Sequence, residues 1–139
     1  MPTWKPKPLK DYQKQFRELL MELSKIFQGK YVQQGEFSFK AVDSDDPDIM
    51  LGVSMYTRPF FDTPTVGMTL MYLENDKHAK ETRINDMVKE LSALTKKHGG
   101  KTEPWKDQTG REILPVERYY KDVNGKQVDA LKKSFTIQL

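Results

Sequence analysis

A chain of 139 residues is the size of one folding unit, and 37% hydrophobic against 31% charged residues leaves material for a modest core. It has no cysteine, which excludes disulfides, thiolate nucleophiles and Cys-based zinc sites and fits a reducing compartment such as the cytoplasm. The net charge of +3 is unevenly spread: residues 1–30 carry +4, residues 31–76 carry −6 and residues 77–139 carry +5. No stretch has the apolar length of a signal peptide or a membrane span, so neither secretion nor membrane insertion is expected.

Residues 1–8 read as a flexible basic, Pro-rich lead, and residues 9–139 as a single α+β domain. Leu9, Tyr12, Phe16, Leu19, Leu20, Leu23, Ile26 and Phe27 recur at steps of three and four, which predicts a helix over residues 9–28. Pro8 suits its first turn and Gly29 a left-handed stop.

Three segments of period two follow. Phe37, Phe39 and Ala41 share one face, as do Ile49, Leu51, Val53 and Met55, and then Val66, Met68, Leu70 and Tyr72. The Asp- and Pro-rich connections at residues 43–48 and 57–64 make these a three-stranded antiparallel meander.

Asn75 or Asp76 suits an N-cap, and Ile84, Met87, Val88, Leu91 and Leu94 predict a second helix over residues 77–98, ended by Gly99 and Gly100. Short strands are expected at residues 101–106, 113–122 and 134–139, with a hairpin turn at Asn124 and Gly125. The expected fold is therefore an α-β-β-β-α core followed by short C-terminal strands, one antiparallel sheet with two helices packed on one face.

No constellation for catalysis, a cofactor or a metal emerges from these residues. His78 and His98 stand near opposite ends of the second helix, about 30 Å apart at 1.5 Å per residue, too far to share a metal or a proton. The acidic run at residues 43–48 has Asp48 at the sixth place of a calcium loop and Ser54 at the twelfth, where Gly and Glu are required, so it reads as a solvated hairpin tip. There is no Gly-rich phosphate loop and no nucleophile elbow. A carboxylate pair such as Glu36 with Glu117 would need the fold to assemble it.

Binding surfaces are better marked. Arg58, Phe60 and Phe61 lie in a Pro-flanked connection, where alternating directions aim one ring toward water, and Tyr119 with Tyr120 forms a second aromatic pair. Lys77, Lys80 and Arg83 fall at helical spacing and form one cationic edge.

The helix, three strands, helix order, with the run Asn75-Asp76-Lys77-His78-Ala79-Lys80, resembles a double-stranded RNA-binding domain, whose second helix opens on Ser-Lys-Lys-x-Ala-Lys. The resemblance spans roughly residues 9–98 and implies that Lys77, Lys80 and Arg83 meet phosphates. That family's glycines before the motif are absent here, and its groove-reading hairpin is replaced by the acidic run. Residues 94–105, from Leu94 through Gly99-Gly100-Lys101 to Trp105, are similar to the helix, Gly, strand and Trp ending of RraB-type regulators of ribonuclease E, which implies a protein-binding regulator.

The leading expectation is a non-catalytic, protein-binding regulator or adaptor, partnered by another protein or its own copy. The alternatives are a nucleic-acid binder using the basic helix edge and an enzyme with a carboxylate site not visible in sequence.

Overall fold

The computed structural model describes residues 8–72, 78–106, 110–112 and 131–139. A 3-10 turn at Leu9–Tyr12, with Pro8 at its N-cap, runs straight into helix α1, Gln13–Ile26. Phe16, Leu19 and Leu23 form the buried stripe of α1, as the spacing predicts. Its stop differs from expectation. Phe27 takes an extended conformation as the C-cap, and Gly29 is not left-handed but opens a strand. Gly29 has another role: a Cβ there would strike the Val42 carbonyl on the neighbouring strand.

Four strands, not three, precede the second helix: β1 Gly29–Gly35, β2 Ser38–Asp43, β3 Ile49–Tyr56 and β4 Thr65–Tyr72. The last three are the expected meander. β1 escapes the periodicity because its inward positions are Gly29, Tyr31 and Gln33, paired with Asp43, Ala41 and Phe39, so no apolar alternation marks it. Helix α2, His78–Lys97, ends on Gly99 at φ +70°. The N–H of Gly100 donates to the Thr95 carbonyl (2.8 Å) and that of Gly99 to the Lys96 carbonyl (3.0 Å), a Schellman closure.

β5 is shorter than expected, Lys101–Thr102, with Lys106 forming isolated bridges to Glu112 and Lys132. The final strand is longer: β6 spans Leu131–Gln138 and lies between β4 and β5 rather than at an edge. All neighbours are antiparallel, in the order β1-β2-β3-β4-β6-β5. The strand and turn expected at residues 113–125 lie outside the described residues.

Both helices cover one face of this sheet, where register aligns the rows Ile49-Tyr72-Leu131, Val53-Met68-Phe135 and Met55-Val66-Ile137. Against them pack Phe16, Leu19 and Leu23 of α1 and Ile84, Met87, Leu91 and Leu94 of α2, all buried. Each fully buried large side chain contributes about 1.5–3 kcal/mol. Trp105 joins this core, its ring edge-on to Tyr72 at 5.2 Å.

Two polar contacts fix the helices. Arg83 on α2 donates from Nε and Nη2 to the buried carboxylate of Asp43 at the end of β2 (3.0 and 2.7 Å). His98, just past α2, lies 2.8 Å from the carboxylate of Glu22 on α1, which also receives Lys97 at 3.3 Å.

Candidate functional site

The sheet face opposite the helices carries no helix among the described residues, and its side chains follow from strand parity. One row crosses five strands as Lys30-Val42-Met50-Met71-Lys132. The next reads Val32-Lys40-Gly52-Thr69-Ser134, and a third runs Ser38-Ser54-Gly67-Thr136-Lys101. Small residues at the centre leave a trough of about 380 Å³ whose lining includes Lys40, Ser54, Tyr56, Thr69, Met71 and Thr136. At one end the Tyr56 ring lies over Gly67, where a Cβ would approach it to 3.2 Å, so the glycine is covered by the aromatic ring.

Within the strands, charge on this face has one sign; just past β5, Glu103, whose N–H donates to the Ser134 carbonyl, is paired with Lys106 at 3.3 Å. The six strands contain a single carboxylate, Asp43, and it points to the helix side, where Arg83 holds it. Lys30, Lys40, Lys101 and Lys132 are exposed on the open face and have no ion-pair partner among the described residues. Lys133 has the opposite parity and its Nζ stands 5.8 Å from the centre of the Trp105 ring.

The loop from β3 to β4 begins at Thr57, beside Tyr56. Phe60 there is 81% exposed with φ +67°, a left-handed conformation uncommon for a bulky side chain. Phe61 is 42% exposed, its N–H donates to the Arg58 carbonyl (3.2 Å), and the Arg58 guanidinium sits 4.8 Å from the centre of its ring. The loop's return is tied down. Gln138 at the end of β6 donates from Nε2 to Thr63, its Oε1 accepts from the Thr65 hydroxyl (3.0 Å), and the Leu139 N–H donates to the Pro64 carbonyl (3.0 Å).

Arg58, Phe60 and Phe61 thus stand together on one loop. Tyr119 and Tyr120 lie outside the described residues, as does Lys77. The backbone of Lys80 is helical. Arg83 is committed to Asp43 and, at 3.1 Å, to Asp45, and its hydrogen bond to Asp43 raises its pKa further. The acidic connection is not wholly the solvated tip expected: Asp43 is buried, and its Oδ2 accepts from the Asp46 N–H (3.0 Å) as well as from Arg83. Among the described residues no three His, Cys, Asp or Glu side chains are grouped to hold a metal, and Glu117 lies outside them. No helix among them is long and apolar enough to cross a membrane.

Lys30, Lys40, Lys101, Met50 and Met71 were not singled out in the sequence. Their signal is present in it: the outward positions of β3 and β4 are Met50, Gly52, Ser54, Gly67, Thr69 and Met71, where a solvent-facing side ordinarily carries charge.

No protein-family model, curated protein or solved structure matches the chain. The RNA-binding-domain order of three strands between helices differs from the four found before α2.

Proposed function

We propose that the protein is a non-catalytic binding module, a regulator or adaptor that engages a protein partner through Arg58, Phe60 and Phe61. One observation carries this reading: Phe60 is held in water in a backbone conformation that costs about 1–3 kcal/mol for a side chain of its kind. A large aromatic side chain neither buried nor relaxed is what a partner's pocket would cover. The tethers from Gln138 and Leu139 support it further, since a mounted loop loses little entropy on docking.

The test places a photoreactive phenylalanine analogue at Phe60 and irradiates the protein in extract of its own cells, with Lys14, exposed on α1, as the control position. Discrete protein adducts at position 60 alone, competed away by wild-type protein but not by Phe60→Asn/Phe61→Ser, are expected. Adducts that vanish with nuclease, together with salt-sensitive duplex RNA binding lost in Lys77→Glu/Lys80→Glu, would transfer the function to the basic helix edge. Sedimentation velocity separates a foreign partner from a second copy.

A further inference from the structure

We infer that the open face of the sheet is the docking surface for an acidic amphipathic helix of the partner, lying along β3 and β4 with one end at Tyr56. This rests on the protein-binding reading and names the partner's chemistry. Charge complementarity selects the occupant. Lys30 and Lys40 stand on β1 and β2, Lys132 and Lys101 on β6 and β5, and no carboxylate lies on this side of any strand between them. Lys30 and Lys132 are four strands apart, about 19 Å at the usual strand spacing, and Lys40 is three strands from β6, about 14 Å. A helix about 10–12 Å across fits between these flanks.

The centre is apolar or small where such a helix would rest. Val42, Met50 and Met71 form one contiguous row, and the trough beyond them runs over Gly52 and Gly67 to Tyr56. Methionine adapts its shape to an apolar ridge, and flanking lysines would meet acids on both sides of that ridge. A single-stranded nucleic acid is the other polyanion to weigh, but its sites are built on several stacking rings, often with arginine. The outward positions of these strands offer one ring, Tyr56, and no arginine. Tyr56, which lines the trough, ends β3 and leads directly into the loop of Phe60 and Phe61, so one partner would reach both surfaces.

The test uses the whole protein and three labelled probes: a synthetic helix of about five turns with a leucine stripe flanked by glutamates, its scrambled isomer, and oligouridylate. The helix is expected to bind in a salt-sensitive manner and at least about tenfold more tightly than either other probe. Lys40→Glu/Lys132→Glu should lose about tenfold or more, and so should Gly52→Val, which fills the trough without charge where a Cβ meets nothing within 4 Å. With methyl-labelled methionine, Met50 and Met71 should shift on binding while Met21, exposed on α1, stays in place. Equal binding of the scrambled isomer, indifference to both variants, or tighter binding of oligouridylate would each overturn the assignment. Loss of cross-links at position 60 with helix binding intact would instead sink the loop reading alone.

Discussion

Asp43 and Arg83, forty residues apart in sequence, form a two-point ion pair that pins the side of α2 to the end of β2. The Asp43 carboxylate is wholly buried and its partner 38% exposed, so removing the guanidinium strands a charge that has nowhere to hydrate. Arg83→Ala should cost about 2 kcal/mol in urea denaturation. Asp43→Asn/Arg83→Met should cost less than the sum of the single changes, because both charges leave together.

The contact between the helices makes stability depend on pH. The hydrogen bond from His98 is the main cause that holds the Glu22 carboxyl below its ordinary 4.5; burial opposes it, and Lys97 adds to the lowering. A depressed carboxylate stabilises the fold above its unfolded pKa and loses that contribution as pH falls through the folded value. The gap in urea midpoint between wild type and Glu22→Gln should therefore narrow as pH falls below 4.5. Both side chains are about one-third exposed, which limits the effect to about 1 kcal/mol.

Tyr31 gives the opposite sign at the alkaline end. Burial pushes its phenol up to about 12, and its hydroxyl donates to the Phe27 carbonyl at 2.9 Å. The unfolded chain ionises this group near its ordinary 10, so stability should fall between pH 10 and 12. Tyrosinate absorbance should show a late-titrating component that is lost in Tyr31→Phe. That variant should also lose about 1 kcal/mol for the missing hydrogen bond.

Gly100 and Gly52 separate two meanings of glycine. A Cβ at Gly100 would collide with the Thr136 carbonyl and approach Thr95 Cγ2 to 2.8 Å, where α2 turns into β5. Gly100→Ala should cost about 3 kcal/mol. Gly52→Ala meets open space and should stay within about 0.5 kcal/mol of wild type.

Phe60 predicts a trade between stability and binding. Asparagine tolerates left-handed φ better, so Phe60→Asn should raise the unfolding free energy by about 0.5–1 kcal/mol while losing the ability to compete for the adducts formed at position 60 of the photoreactive protein.

Both helices and the strands β2, β3 and β4 were legible because their buried faces repeat at the period of their own geometry, as with Leu19 and Leu23 or Leu51 and Val53. β1 was not, because Gly29 and Gln33 occupy its inward face, and the helix end was misread because Gly29 serves a close strand approach rather than a turn. The aromatic loop could be named from Phe60 and Phe61, but not the strain at Phe60. The lysine flanks were hidden for another reason. Lys30 and Lys132 become members of one row only through four successive registers, and no local pattern encodes that.

The position of β6 has a consequence for synthesis. β4 is Thr-Val-Gly-Met-Thr-Leu-Met-Tyr, eight residues without a charge or a proline, and its second neighbour begins only at Leu131. While a ribosome is still making the later residues, β4 is an uncapped edge of the kind that recruits strands from other chains. Closing it requires a long-range pairing, the slow class of folding event. The interval between translation of Tyr72 and arrival of β6 is thus when this chain is most open to aggregation, and a chaperone acting on it would be needed there.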